Sequence, residues 1–128
     1  MKETFEIEVE SHFSAAHRLR GYGTKCENLH GHNWYVVAVV QSASLDSRGV
    51  CIDFRDLRKA LGEVLDELDH THLNAVPPFD RINPSAENIA RFVYRKLAPK
   101  VKGKRTRLAS VKVAESAGCW AVYGRKAR

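Results

Sequence analysis

The chain has 128 residues, of which 44% are hydrophobic and 28% charged, with a formal net charge of +6. These values are typical of one globular domain and exclude a disordered chain. No apolar run approaches the roughly 18 residues of a membrane span, and the first ten residues lack the apolar centre of a signal peptide. We therefore expect a single cytoplasmic domain over residues 1–128 with no membrane partner.

The cysteines and the basic residues allow two further expectations. Cys26, Cys51 and Cys119 are odd in number and irregularly spaced, so reduced thiols are expected. Cys51 and Cys119 lie in strand-like apolar stretches and are predicted to be small core residues. Basic residues cluster only in residues 100–107 and at the C-terminus. We expect a solvated loop and tail there, with attraction of anionic small molecules or a nucleic-acid patch as less favoured alternatives.

Two strands are predicted in the first third of the chain. In residues 4–17 apolar and polar side chains alternate, which predicts a half-buried strand. His17 ends its apolar row, whereas His12 lies in the polar row. Residues 30–42 are rich in β-branched and aromatic side chains, which favours a second strand and an antiparallel hairpin.

Helices and further strands follow. Residues 53–70 have a helical apolar pattern with Asp53 as N-cap, and residues 84–99 have another with Ser85 as N-cap and Pro99 as the stop. Residues 70–83 between them are expected to be a loop. Residues 107–116 and 119–125 read as two more strands. The order ββααββ predicts an α+β fold in which an antiparallel sheet carries both helices on one face.

Three histidines form a candidate metal site. His30 and His32 are two residues apart, so in a strand both imidazoles leave one face, roughly 6.6 Å apart along the chain. His17 could converge on the same point if the first two strands pair. Three neutral histidines with an open fourth position are the pattern of a catalytic zinc site, although such histidines are more often incidental when considered singly.

Nearby residues favour catalysis. Cys26 lies four residues before His30, and a thiol beside a metal or histidine is more readily ionised. Asp69 and His70 form a carboxylate–imidazole pair of the kind that orients a proton-transfer group. Cys26 could instead be a fourth zinc ligand, which would make the site structural. Glu115 ends an apolar row and so needs a partner, either an Arg or Lys or a ligand with two adjacent N–H donors.

The ordered motifs "FSAAHRL", "CENLHGHN", "LDHTHLN", "NPSAEN" and "AES" resemble those of the 6-pyruvoyltetrahydropterin synthase family. The spacing of the cysteine and His-Gly-His is similar to that of its 6-carboxy-5,6,7,8-tetrahydropterin synthase branch, which acts in queuosine biosynthesis. The resemblance implies a T-fold, whose sheets join between subunits into a barrel, and a homohexamer built from two trimers with active sites at subunit interfaces.

The resemblance also implies residue roles. His17, His30 and His32 match zinc ligands, and Cys26 matches the catalytic thiol with Asp69 and His70 as its acid/base partners. Glu115 matches the pterin anchor. Ser85 falls where the family contributes pterin contacts, besides being a helix cap.

The reaction implied is a zinc-dependent lyase conversion of 7,8-dihydroneopterin triphosphate to 6-carboxytetrahydropterin, acetaldehyde and triphosphate. Alternatives are triphosphate elimination to the 6-pyruvoyl product and, because Glu27 follows Cys26, side-chain cleavage to 6-hydroxymethyldihydropterin. From another class, a nucleic-acid-binding domain with a structural zinc is disfavoured, because it leaves Asp69, His70 and Glu115 without a role.

Overall fold

Two long paired strands form the centre of the fold in a computed structural model that describes residues 3–23 and 27–125. Strand β1 spans Phe5–His17 and β2 spans His30–Ser42. They pair antiparallel over their whole length, from Phe5 opposite Ser42 to His17 opposite His30. The predicted hairpin is therefore confirmed, and His17 lies on the buried side of β1 while His12 is exposed.

Within residues 3–23 and 27–125 the sheet has five strands, in the order β3-β1-β2-β4-β5. Strands β4 (Thr106–Ser116) and β5 (Cys119–Gly124) continue it antiparallel from β2. The short β3 (Thr71–His72) lies within the predicted loop and pairs parallel with Ala15 and Ala16 of β1. The sequence did not predict β3 because two residues are too few to show an alternating pattern. The sheet is thus mixed, although four of its strands are antiparallel as expected.

The two helices cover the same face of the sheet. Helix α1 spans Phe54–Leu65 with Asp53 as N-cap, and helix α2 spans Ala86–Val101 with Ser85 as N-cap. Helix α1 packs on β1, and α2 packs on β4, β5 and α1. Their apolar stripes meet the inward side chains of the sheet in one core, whose largest members include Trp34, Phe13, Phe79, Leu57, Leu61, Ile89 and Leu97. Neither helix in the described part of the chain has the length and apolarity needed to cross a membrane.

The helix ends differ from the prediction. Helix α1 ends at Leu65, and Leu68 enters the core from the following turn, where its N–H donates to the Leu65 carbonyl at 2.9 Å. Pro99 does not stop α2, which continues to Val101. The last turn persists because Val101 is buried in the core and the Lys102 N–H donates to the Ala98 carbonyl at 3.1 Å.

The expectation that Cys51 and Cys119 are core residues is wrong. Cys51 is only partly buried, in the segment before α1, and Cys119 is exposed at the start of β5. Strand β5 lies at the sheet edge, where an apolar sequence need not be covered within the chain. Both cysteines are free thiols.

Candidate metal centre and active site

The hairpin register brings three imidazoles to one point. His17 lies directly opposite His30, and His32 lies opposite Ala15, so all three side chains leave the inward face at one end of the sheet. The Nε2 atoms of His17 and His30 are 3.1 Å apart. Ligand atoms of His17, His30, His32 and Glu115 all lie within 4.8 Å of one another. The sequence prediction that the three histidines converge is confirmed.

Backbone carbonyls orient two of these rings. Nδ1 of His17 lies 2.7 Å from the Pro84 carbonyl oxygen, and Nδ1 of His30 lies 2.6 Å from the Asn28 carbonyl oxygen. A carbonyl can only accept, so these contacts assign the proton of each neutral ring to Nδ1. Each Nε2 therefore directs a lone pair into the cluster, which is the arrangement that metal-binding histidines require.

Trp34 forms the floor of the cluster. Its ring centroid lies 4.7 Å from that of His17 and 5.5 Å from that of His32, both in edge-to-face geometry. Trp34 is itself fixed, because its Nε1–H donates to the Ala15 carbonyl at 3.3 Å and Phe13 stacks on its ring. The imidazoles of His17 and His32 thus pack against a fully buried aromatic ring, which limits the rotamers they can adopt.

The Glu115 carboxylate also points into the cluster. Its Oε1 lies 2.6 Å from Nε2 of His32, 3.2 Å from that of His17 and 3.6 Å from that of His30. The ordinary partner expected for Glu115 was an Arg or Lys, but its ion-pair contacts in the described residues are to histidines. Glu115 is the extra residue at a register shift between β4 and β5, which falls between Ala114 and Ser116. Such bulges redirect a side chain, and the sequence pattern did not show this one.

The atoms that face one another in the cluster suit a bound cation. Nε2 of His17, Nε2 of His30 and Oε1 of Glu115 each present a lone pair, and they lie 3.1 to 3.6 Å apart. Nε2 of His32 is buried and has no well-aligned hydrogen bond among the described residues, despite its short distance to Glu115. Neighbouring donors around a tetrahedral ion at about 2.1 Å would lie about 3.4 Å apart. The residues therefore fit a metal ion, and nitrogen-rich sets of this kind suit zinc among other transition metals.

Burial favours the neutral form of the His32 imidazole. Desolvation lowers the pKa of its imidazole below the ordinary value, and the nearby Glu115 carboxylate opposes this shift without reversing it. The neutral form is the one that coordinates a metal.

Asp69 and His70 are paired beside the end of β1. Asp69 Oδ2 lies 2.9 Å from Nδ1 of His70, and Asp69 Oδ1 accepts the Ser14 N–H at 2.9 Å. The hydrogen bond from Ser14, followed by that from His70, lowers the pKa of the Asp69 carboxyl. His70 has a left-handed φ of 56°, its N–H donates to the Ser14 carbonyl at 2.6 Å, and its side chain is 82% exposed. The predicted pair is present, and its imidazole faces outward.

The remaining predicted positions are Cys26, Ser85 and Glu27. Cys26 lies outside the described residues. Ser85 caps α2 by accepting the Asn88 N–H at 3.2 Å, and it directly follows Pro84, whose carbonyl holds His17. Glu27 is exposed, and its carboxylate accepts the Gly21 N–H at 3.0 Å.

Asn74 supports the site in a way that sequence reasoning missed. The side chain is nearly buried, its Oδ1 accepts the Arg18 N–H at 2.9 Å, and its Nδ2 donates to the Arg18 carbonyl at 3.0 Å. Asn83 makes the same pair of bonds to the backbone of Arg20. The chain leaving His17 is thereby fixed. An asparagine gives no sequence signal that separates this role from an ordinary turn.

Comparison with known proteins places this geometry in a family. The family model described as 6-pyruvoyl tetrahydropterin synthase matches residues 6–126. The chain belongs to the 6-pyruvoyl tetrahydropterin synthase family. This match confirms the family resemblance. The subunit fold predicted from it is confirmed as well, because the 6-pyruvoyl tetrahydropterin synthase structures from Caenorhabditis elegans and Plasmodium vivax match the chain with TM-scores of 0.83 and 0.79.

Three matches illustrate the range of this family. A relative from Archaeoglobus fulgidus, whose name provisionally assigns it as a 6-carboxy-5,6,7,8-tetrahydropterin synthase, is 37% identical over 122 residues, covering 94% of this chain and 96% of the relative. A dihydroneopterin monophosphate aldolase from Pyrococcus furiosus is 33% identical over 91 residues, covering 71% and 73% of the two chains. The Caenorhabditis elegans 6-pyruvoyl tetrahydropterin synthase structure matches with a TM-score of 0.83 and 26% identity, covering 97% of each chain.

Proposed function

We propose that the protein is a zinc-dependent 6-carboxy-5,6,7,8-tetrahydropterin synthase. In this role it converts 7,8-dihydroneopterin triphosphate to 6-carboxytetrahydropterin, acetaldehyde and triphosphate, as a lyase of queuosine biosynthesis. The observation that carries the proposal is the convergence of the three Nε2 atoms of His17, His30 and His32 in a chain of this family. The name of the Archaeoglobus fulgidus relative supports this member of the family over the others.

The histidines would hold the metal. His17, His30 and His32 would bind it through Nε2, and a bound zinc ion would act as a Lewis acid toward the oxygen atoms of the substrate side chain. The fixed rings of His17 and His30 set where the side chain must lie. The remaining chemistry is proton transfer by residues of this chain.

Cys26 and the Asp69–His70 pair are the proposed acid/base groups. Cys26 as a thiolate would remove a proton from the substrate side chain, and His70 would exchange a proton through Nε2 while its Nδ1–H donates to Asp69. The contact between Asp69 and Ser14 supports this role, because it fixes the carboxylate that orients the imidazole. Glu115 would anchor the amino-pyrimidine edge of the pterin, where two adjacent N–H groups suit a carboxylate.

We also propose that the active site is shared between subunits of a homohexamer. His70 is 82% exposed in the single chain, so its imidazole is free to face a substrate held partly by a second copy. The outer strand β5 has an open edge, which edge-to-edge pairing between copies would satisfy. Ser85 would contribute a pterin contact across the same interface, in addition to its role as a cap.

The phosphate contacts do not come from the basic segment of the same chain. The basic segment, residues 100–107, runs into the start of β4 at Thr106, whereas Glu115 lies near the end of that strand. Nine residues of strand separate them by about 30 Å. This distance also argues against a nucleic-acid-binding function in which the basic segment and the histidine cluster form one surface.

The test is a product analysis. Zinc-loaded protein would be incubated with 7,8-dihydroneopterin triphosphate, the pterin product identified by mass spectrometry, and acetaldehyde assayed. A 6-carboxytetrahydropterin product with acetaldehyde supports the proposal. A 6-pyruvoyl product without acetaldehyde would assign the chain to triphosphate elimination. The absence of any reaction would favour a structural role for the metal site.

Side-chain cleavage to a 6-hydroxymethyl product is a second candidate, favoured by the name of the Pyrococcus furiosus relative. Glu27 is the available carboxylate for that reaction, but it already accepts a hydrogen bond from Gly21. Glu27→Gln and Cys26→Ala separate the two candidates. The proposed synthase loses turnover in Cys26→Ala alone, whereas a cleavage reaction based on Glu27 is lost in Glu27→Gln.

A further inference from the structure

The Glu115 carboxylate lies among the histidine nitrogens, although its expected role is at the far edge of the pterin ring. We propose that Glu115 is the fourth ligand of the metal in the resting enzyme, and that it leaves the metal to bind the amino-pyrimidine edge of the substrate. Recognition of the pterin would then open the coordination position that the substrate side chain needs. This inference rests on the proposed function and adds a switch to its site.

The distances match direct coordination. Glu115 Oε1 is 3.2 Å from Nε2 of His17 and 3.6 Å from that of His30, which are themselves 3.1 Å apart. Donors around one tetrahedral ion lie about 3.4 Å apart, so these three separations fit a shared ion. The 2.6 Å separation from Nε2 of His32 is shorter and requires a small outward shift of the carboxylate. Three imidazoles and one carboxylate complete a four-coordinate set within the chain.

Glu115 can also move away from the cluster. Its side chain is 34% exposed, whereas that of His17 is fully buried. Beyond the carboxylate lies an open cavity lined by Ala86, Glu87, Gly118 and Trp120. The backbone at Glu115 bulges between β4 and β5, so the residue is not constrained by regular strand pairing. The carboxylate can therefore reach either the metal or a ligand in the cavity.

The metal ion and the amino-pyrimidine edge of the pterin are alternative partners for the Glu115 carboxylate. A site closed by four protein ligands is chemically inert, whereas three ligands and an open position define a catalytic centre. Two adjacent N–H donors offer the carboxylate a bidentate, charge-assisted pair of hydrogen bonds, which can offset the loss of one metal bond. Only a molecule with that edge would open the site, so phosphates and other anions that lack it would leave the fourth position closed.

Cobalt substitution tests this proposal without turnover. The full-length protein would be loaded with Co²⁺, whose visible absorption responds to the number and type of ligands. The variants are Glu115→Gln and, as a matched control, Glu63→Gln, which removes the same charge from the exposed side of α1, outside both the donor set and this cavity. The probe is 6-methylpterin, which has the amino-pyrimidine edge but no side-chain oxygen to bind the metal.

We expect Glu115→Gln to change the cobalt spectrum before any ligand is added and to raise the Co²⁺ dissociation constant at least about tenfold. Glu63→Gln should leave both unchanged. Addition of 6-methylpterin should shift the spectrum of the wild-type protein and of Glu63→Gln, but not that of Glu115→Gln. Identical spectra for wild type and Glu115→Gln would overturn the proposal.

The wild-type titration stands even if Glu115→Gln fails to fold. If 6-methylpterin binds, as followed by its fluorescence, and the cobalt spectrum does not move, the switch is refuted. The proposed function is judged separately by its product. A spectral response to 6-methylpterin without turnover of dihydroneopterin triphosphate would preserve the switch and refute the synthase assignment.

Discussion

Replacing Asn74 by alanine should destabilise the fold and weaken metal binding together. The Asn74 side chain is only 9% exposed and makes two hydrogen bonds to the backbone of Arg18, at 2.9 Å and 3.0 Å. Each bond of this kind contributes about 1 kcal/mol, so Asn74→Ala should lower the free energy of unfolding by about 2 kcal/mol. Arg18 directly follows His17, the buried member of the proposed metal site, so loosening its backbone should also raise the zinc dissociation constant.

The assay is urea unfolding of the metal-free protein at one fixed concentration, because subunit association would otherwise contribute to the measured stability. Asn83→Ala is the matched comparison. It removes the same pair of bonds from Arg20 but at a less buried position, so its loss should be smaller, about 1 kcal/mol. A loss below about 0.5 kcal/mol for Asn74→Ala, or a larger loss for Asn83→Ala, would show that the buried bonds of Asn74 do not stabilise the fold in this way.

Three further predictions concern the proposed site. Cys26→Ala should abolish turnover while zinc content stays at the wild-type level, and loss of stoichiometric zinc would show instead that Cys26 is a ligand. The hydrogen bonds from Ser14 and His70 lower the pKa of the Asp69 carboxyl, so they stabilise the fold at pH values above the usual pKa of Asp. This stability is lost as the pH falls through the lowered pKa of the folded protein. Between about pH 4 and lower values, the metal-free wild type should therefore lose more free energy of unfolding than Asp69→Asn does. Ser85→Ala should cost about 1 kcal/mol in urea unfolding through the lost helix cap, and an unchanged KM would show that Ser85 has no pterin contact.

The parts of the fold that follow from periodic patterns could be predicted from the sequence. The alternation in residues 4–17 identifies the buried row that ends at His17, and the two-residue spacing of His30 and His32 places them on one face. Once the hairpin forms, its register alone brings the three rings together. Trp34 could have been found by the same parity, because it follows His30 and His32 at the next inward position.

What the sequence did not predict depends on tertiary contacts without a local signature. The short strand β3 exists because Thr71 and His72 pair with β1, and α2 continues past Pro99 because Val101 reaches the core. The bulge that leaves Glu115 without a strand partner in β5 also has no signature in the sequence. The carbonyls that orient His17 and His30 come from the backbone, where residue type carries no information about the contact.

We propose that the histidine cluster is a metal centre on which the reaction depends. Titration of metal-free protein with zinc, while conversion of 7,8-dihydroneopterin triphosphate is measured, tests this dependence. The rate should rise in proportion to added zinc and stop rising at one ion per chain, and His32→Ala should show neither tight zinc binding nor turnover. Full turnover in the metal-free protein, or in His32→Ala, would show that the reaction does not need a metal in this cluster.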